Sequence, residues 1–232
     1  MPTKVLMIVT SHDRVPVSER PTGFWLEGFA APYYVFADAG IEVMLASPRG
    51  GQPPVDPRSE RDMAMTEATR RFMADHIAQK CLERTVPLST VDGDGIDALL
   101  IADGDGATYD LATDADAQTL ARDFSAMGKP MAVVGRGAAA FVDVIRPDGR
   151  PLVEGRRLTA FSDAETALST ESDDAQPLVE TELRARGARF TAGAAFEPHA
   201  MIDGLIVSGQ NPASSEAAAR LLLDLLERRL AA

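Results

Sequence analysis

Two turns rich in glycine and charged residues each follow an apolar segment that the pattern predicts to be a strand. The turn at 103–106 follows residues 98–102, and the turn at 135–137 follows residues 130–134. Because ligands of open α/β sheets bind beyond the carboxyl ends of parallel strands, we expect both turns to line one polar pocket. The pocket residues expected from these turns are Asp103, Gly104, Asp105, Gly135 and Arg136. The two aspartates form either a plain acidic turn, which we favour, or part of a cation site, and a guanidinium could bind a carboxylate or an enolate.

The second turn has the pattern of a nucleophile elbow without a nucleophile. In such an elbow, a strained residue between a strand and a helix presents its side chain beside the helix N-terminus. That place is held here by Gly135, which has no side chain and adopts strained angles freely. The only cysteine, Cys81, lies on a helix predicted over 66–82, and we expect it to be a small packed residue. Attack by an elbow thiolate is therefore excluded.

Glu27 lies on the first predicted helix, 23–39, and two roles are open for it. It could act as a general acid or base, a role that works best with a shifted pKa. It could also form a structural or ligand-orienting ion pair with Arg136, which we favour. A divalent cation held by Asp103, Asp105 and Glu27 is a further reading, but two aspartates on one turn are weak evidence for it. We predict no metal.

The histidines and the glycine pattern add one further candidate. His12 follows the first predicted strand and is expected on a surface loop, and His76 is expected to be solvated or partly packed on a charged helix. His199 precedes the last predicted strand and is a candidate ligand contact. No GxGxxG or Walker pattern follows a strand, so a nucleotide site is not expected and we predict no cofactor.

Composition limits the partners of the chain. Its 232 residues carry 35 acidic and 23 basic side chains, and the net charge of −12 disfavours nucleic-acid binding. No segment reaches the ~18 apolar residues of a membrane span, and the first apolar run, 5–10, is too short for a signal peptide. One cysteine excludes a disulfide framework. We expect a cytoplasmic protein, and the predominance of Arg over Lys, with abundant Ala, suggests a GC-rich bacterial genome.

Apolar periodicity predicts the α/β elements that would position both turns. Strand 5–10, helix 23–39 and strand 41–46 form a β-α-β unit, for which a right-handed crossover onto a parallel sheet is expected. The other predicted strands are 98–102, 130–134, 158–161, 189–192 and 205–208, and the other helices are 66–82, 114–127, 138–144, 177–186 and 212–229. The prediction is a flavodoxin-like, doubly wound, mostly parallel sheet between helices. We expect a single domain over 1–232, with a small insertion around 48–97 and a hairpin around 146–157.

Five stretches resemble, in order, the ThiJ/PfpI superfamily, which has a class I glutamine-amidotransferase-like fold. They are 22–34 (TGFWLEGFAAPYY), 46–54 (ASPRGGQPP), 128–134 (GKPMAVV), 149–161 (GRPLVEGRRLTAF) and 209–217 (GQNPASSEA). The resemblance extends over almost the entire chain, and GQNPASSEA is long and unusual enough to be specific. Within the superfamily, the chain is most similar to the glyoxalase-III-like, heat-shock-chaperone-like branch.

The resemblance implies a site whose reactive residues are replaced in this chain. In the family, a Glu on the first helix hydrogen-bonds a reactive elbow Cys, and a His follows that Cys; the matching positions here are Glu27, Gly135 and Arg136. The family's PGGHG loop, which helps to form an oxyanion pocket, matches ADGDG at 102–106. A third, acidic member usually follows the strand at 158–161, where Glu165 and Thr166 are the nearest matches.

The loss of thiol, imidazole and oxyanion loop predicts a catalytically degenerate relative. On this reading the protein is a stress-related, chaperone-like or small-molecule-binding homodimer with a small polar or anionic ligand. The alternative is an enzyme with thiol-free chemistry, using Glu27 and Arg136 as a hydratase, isomerase or lyase on a small carboxylate or carbonyl compound, or keeping residual glyoxalase-III-like activity. A third reading is a regulatory partner of an active paralogue.

Overall fold

A seven-stranded sheet forms the centre of the computed structural model, which describes residues 3–169 and 176–230. In chain order the strands are β1 (Lys4–Ile8), β2 (Glu42–Ser47), β3 (Val86–Pro87), β4 (Ala98–Ile101), β5 (Met131–Val134), β6 (Arg157–Leu158), β7 (Arg189–Phe190), β8 (Ala200–Asp203) and β9 (Ile206–Gly209). The large sheet has the order β3-β2-β1-β4-β5-β9-β8, and β6 pairs with β7 separately. Only β8 is antiparallel to its neighbour within the large sheet. The predicted doubly wound, mostly parallel α/β fold is confirmed.

Helices cover both faces of this sheet. They are α1 (Leu26–Asp38), α2 (Glu67–Ala74), α3 (His76–Leu82), α4 (Ala115–Ala126), α5 (Asp163–Ser169), α6 (Val179–Ala185) and α7 (Ser215–Leu230). Side chains of β1 alternate between two cores: Leu6 and Ile8 pack with α4 and α6, whereas Val5 and Met7 pack with α1 and α7. Burial on both faces explains why β1 is a continuous apolar run. Among the described residues, no helix has the length and apolar character needed to cross a membrane.

Two predicted helices differ from the structure for local reasons, and β3, β8 and α5 were not predicted. The helix predicted over 66–82 is divided at Asp75, whose carboxylate caps α3 by accepting hydrogen bonds from the backbone N–H groups of Ile77 and Ala78. The helix predicted over 138–144 is a 3₁₀ helix, Gly135–Phe141. Strand β8 turns into β9 through Gly204, whose φ is +60°.

Two other predicted segments have defined local structure. The segment around 146–157 contains a tight turn in which Arg146 N donates to Arg150 O at 2.9 Å, with an antiparallel bridge between Ile145 and Pro151. The segment around 48–97 contains α2, α3 and the short edge strand β3. Both lie beside a sheet whose strands come from positions 4 to 209, and the single-domain division stays a prediction.

Two glycines let the turn after β5 pack against the end of β4. Gly135 has a φ of +53°, a left-handed conformation that side-chain-bearing residues rarely adopt. A Cβ on Gly137 would lie 2.5 Å from the carbonyl oxygen of Ala102. Because β4 and β5 are hydrogen-bonded neighbours, their two following turns meet at one edge of the sheet.

We expect the substitution Gly137→Ala to destabilise the fold by about 1–3 kcal/mol, because the added methyl group would press against backbone that cannot move aside. The measurement is the free energy of unfolding in urea. Gly93→Ala is the matched control, because its Cβ would meet side chains and no backbone, with the Phe124 ring nearest at 3.3 Å, and we expect a change of less than about 1 kcal/mol. Equal stability of the two variants would contradict the close packing of the turns.

Candidate functional site

The turns after β4 and β5 meet through the carboxylate of Asp103. The backbone N–H groups of Arg136 and Gly104 both donate to Asp103 Oδ1, at 2.8 Å and 2.7 Å. Asp103 is 3% exposed, so these bonds lie away from bulk water. The structure thus brings together the residues that the sequence placed on two separate turns.

Asp103 also occupies the space above Gly135. A Cβ on Gly135 would lie less than 3.0 Å from Cγ and from both carboxylate oxygens of Asp103. On the other side, α1 approaches so closely at Gly28 that a Cβ there would lie 2.9 Å from Asp103 Cβ. The carboxyl group therefore lies where the side chain of an elbow residue would begin.

Burial raises the pKa of Asp103 to about 7, far above the ordinary aspartate value. The neighbouring charge of Asp105 acts in the same direction. The Arg136 backbone N–H, the Arg136 charge and the Gly104 backbone N–H act against it, because they stabilise the ionised form. Asp103 can therefore gain and lose a proton near neutral pH.

Asp105 has the opposite character because cations surround it. Its Oδ1 lies 2.9 Å from Arg136 Nε, and its Oδ2 contacts Arg20 at 3.2 Å, Gln176 Nε2 at 2.7 Å and Arg58. Burial alone would raise the pKa of Asp105, but the charges of Arg136 and Arg58 outweigh burial and hold the pKa below its usual range. Two adjacent aspartates thus have pKa values moved in opposite directions, as in sites that assign different roles to two carboxyl groups.

The side chain of Arg136 is buried, and one of its hydrogen-bond donors has no acceptor. It is 2% exposed, and its guanidinium lies over the Phe161 ring at 4.3 Å. Within the described residues, its Nη1 is buried without any hydrogen-bond partner. A buried donor left unpaired is costly, so this atom indicates a place for an acceptor that is not part of the chain.

Glu27 points to a different neighbour from the one expected. It accepts a hydrogen bond from Thr66 Oγ1, and Thr66 is the N-cap of α2. In the part of the chain that the structure describes, no ion pair joins Glu27 to Arg136, so the expected pair is wrong. Burial raises the pKa of Glu27; Thr66 lowers it and the charge of Glu216 raises it. An acid–base role for Glu27 stays a prediction.

His199 directly precedes β8, which lies one strand beyond β9 in the sheet. Its backbone N–H donates to Ser214 Oγ at 3.0 Å, and its ring Nε2 is buried without a partner in the described residues. Since the sheet order is β5-β9-β8, His199 at the start of β8 is separated from the elbow by a strand. Its role as a ligand contact stays a prediction.

Glu165, one of the two nearest matches to the family's third acidic residue, holds local structure together. It accepts hydrogen bonds from the backbone N–H groups of Ser162 and Phe196 and from Asn211 Nδ2. Burial alone would raise its pKa, but the bond from Asn211 and the two backbone bonds outweigh burial and lower the pKa. Glu165 therefore holds the loop at Phe196, which has a left-handed φ of +64° and whose ring lies tilted to that of Phe161, with 6.2 Å between the ring centroids.

Sequence reasoning missed the residues that neutralise the cluster. The fully buried Asp56 pairs with Arg58 at 2.7 Å and with Arg20 at 3.7 Å, and both arginines also reach Asp105. These residues are scattered along the chain and follow no motif, so only the tertiary structure brings them together. Among the described residues, no group of three or more His, Cys, Asp or Glu is arranged to bind a metal ion.

Cys81 is exposed on α3, so the expectation of a packed cysteine is wrong. It lines a surface groove with Val43, Leu45 and Val86 at the β2–β3 edge of the sheet. The elbow lies at the carboxyl ends of β4 and β5, in the middle of the sheet. Cys81 therefore takes no part in the cluster.

Two curated yeast proteins and one solved structure relate this chain to known proteins, whereas no family model matches it. The glutathione-independent glyoxalase HSP31 of Saccharomyces cerevisiae is 29% identical over 97% of this chain and 99% of its own length. The glutathione-independent glyoxalase hsp3101 of Schizosaccharomyces pombe is 31% identical over 88% and 87%. A ThiJ/PfpI domain protein from Brachyspira murdochii shares the fold, with a TM-score of 0.67 at 17% identity over 98% and 99%.

These relatives overturn the expectation of a degenerate, chaperone-like protein, because both yeast proteins are named as enzymes and match over most of their length. The expectation rested on the loss of the elbow thiol, the imidazole and the oxyanion loop, and on no observation of inactivity. Identity above 30% with a glyoxalase across most of both chains, together with the shared fold, confirms the resemblance seen in the sequence. The chain belongs to the ThiJ/PfpI superfamily, in the branch of the glyoxalase III and HSP31 proteins.

Proposed function

We propose that this protein is an enzyme that converts a small 2-oxoaldehyde to the corresponding 2-hydroxy acid without glutathione and without a thiol. The names of its relatives support the reaction class. The absence of a side chain at Gly135, with Cys81 distant on α3, supports a route that forms no bond between sulfur and substrate. Chemistry at the elbow must then use carboxyl and guanidinium groups.

The buried, unpartnered Nη1 of Arg136 is the observation that carries this proposal. A carbonyl oxygen of the substrate would satisfy that donor. If the oxygen becomes an enediolate during the reaction, the guanidinium stabilises the developing negative charge where water is excluded. The ion pair with Asp105 and the Phe161 ring hold the guanidinium in place before substrate arrives.

The contacts around Asp105 support a site that is shut off from water during the reaction. Arg20, Arg58 and Gln176 all contact its carboxylate and cover the cluster. These contacts must part for a substrate to reach Arg136, and their return would exclude water from a reactive intermediate. A small polar or anionic ligand suits the free hydrogen-bond donor and the charge of Arg136.

The first test is lactate formation from methylglyoxal in the absence of glutathione. We expect turnover by the wild type and by Cys81→Ser, and a loss of about 10²–10³ in kcat/KM for Arg136→Gln, since one donor to a developing oxyanion is removed. The matched control is Arg186→Gln, which removes an exposed guanidinium paired with Asp143. Glu27→Gln is measured beside them. If kcat/KM falls only in that variant, Glu27 and not Arg136 is the essential catalytic group.

A second test measures ligand binding without turnover. We expect lactate, the product, to raise the unfolding temperature of the wild type and of Arg186→Gln, because a ligand that binds only the folded state stabilises it by mass action. Arg136→Gln should show no such rise. A rise of equal size in all three proteins would contradict binding at Arg136.

A further inference from the structure

We infer that Asp103 takes the place of the missing elbow nucleophile, as the base that removes and returns the substrate's carbon-bound proton. This inference rests on the proposed function, but it concerns how the reaction proceeds. Asp103 comes from the turn after β4, whereas the nucleophile of an elbow comes from the turn after β5. Its carboxyl group nevertheless lies in the space above Gly135.

The two positions exclude each other sterically. A Cβ on Gly135 would overlap the Asp103 carboxyl group, so a side chain can start from residue 135 or fill the space from residue 103, but not both. The family pattern PGGHG, matched to ADGDG, has a glycine at the position of Asp103. A cysteine at the elbow thus goes with glycine on the neighbouring turn, and this chain has the reverse arrangement.

The charged groups around Asp103 favour a role for this residue as a base. Arg136 lies on the elbow side, Asp105 lies on the same turn, and α1 contributes Glu27, which bonds to Thr66 instead. The charged residues one contact further away are Arg20, Arg58 and Asp56. Burial raises the pKa of Asp103 to about 7, and a base works best when its pKa is near the working pH. Asp105, held ionised by its arginines, cannot take this role.

The reaction balances without a cofactor. A 2-oxoaldehyde adds water to give its hydrate, R–CO–CH(OH)₂. The ionised Asp103 carboxylate removes the C1 proton, the C1–H electron pair becomes a C1=C2 double bond, and the C2 carbonyl pair moves onto oxygen beside Arg136. The carboxyl group then returns its proton to C2 as the C1=C2 pair forms the new C2–H bond. One C1 hydroxyl gives its proton to the C2 oxygen, its O–H electron pair closes the C1=O bond, and the 2-hydroxy acid R–CH(OH)–COOH forms. Every atom comes from the aldehyde and one water molecule.

Asp103→Asn is the direct test, because Asn keeps the shape and the acceptor oxygen for both backbone N–H groups. We expect kcat/KM for methylglyoxal to fall by about 10²–10⁴, the usual contribution of a general base. In the wild type, kcat/KM should rise with pH through about 7, because the base must be ionised, and the variant should lack this rise. Asp148→Asn, at an exposed turn, is the matched control. Retention of a third or more of kcat/KM would overturn the inference and leave the proposed function standing.

A second measurement separates the base from complete turnover. Hydroxyacetone in D₂O exchanges the protons of its CH₂ group if a base forms the enediol, and NMR follows the loss of that signal. Exchange catalysed by the wild type but not by Asp103→Asn supports the inference, even if no lactate forms and the proposed function fails. Exchange and lactate formation that are both absent, or both independent of Asp103, would overturn it.

The steric argument has its own test in a Cys81→Ser background. We expect Gly135→Cys/Arg136→His to be strongly destabilised, because the new Cβ meets the Asp103 carboxyl group. Adding Asp103→Gly should raise the unfolding temperature again and expose an elbow thiol that iodoacetamide alkylates. Equal unfolding temperatures with and without Asp103→Gly would show that Asp103 does not hold this space, and would overturn the inference.

Discussion

The space above Gly135 is the constraint on which this site depends. A left-handed glycine at the end of β5 leaves room that the Asp103 carboxyl group, arriving from β4, fills. Gly28 completes the enclosure from α1. Because the carboxyl group is enclosed from both sides, its pKa rises to about 7, whereas an aspartate on an open turn would stay ionised.

Pairing of opposite charges offsets the energetic cost of burying these carboxyl groups. Buried charges are costly unless they are paired, and here Asp56 and Asp105 face Arg20, Arg58 and Arg136. The arginines keep Asp105 ionised, so Asp103 is the member of the pair that gains or loses a proton near neutral pH. One buried pair of carboxyl groups is thereby divided into a permanent anion, which orients Arg136, and a titrating group.

The sequence predicted the sheet because its strands are short apolar runs separated by glycine-rich turns, and it predicted the two turns of the site because both follow such runs. It did not predict that Asp103 lies over Gly135, since the approach depends on the pairing of β4 with β5 and on the backbone angles of the glycine. The ion pair expected between Glu27 and Arg136 failed for the same reason: Thr66 and Asp105 are nearer partners, and only the fold brings them there. The break at Asp75 is a different case, because the reason for it is local. Apolar periodicity predicts one continuous helix there, but the capping side chain of Asp75 divides it.

Adjacent parallel strands make the exchange of one reactive group for another structurally simple. The carboxyl ends of β4 and β5 open on the same space, so a group from either turn can present its polar atoms to the same substrate atom. A thiol attacks carbon, whereas a carboxylate of raised pKa removes a proton, and an aldehyde hydrate can reach the hydroxy acid by proton transfer alone. If Asp103 and Arg136 act as proposed, the elbow cysteine is not required for catalysis where the neighbouring turn has gained an acid and the elbow has gained a buried cation.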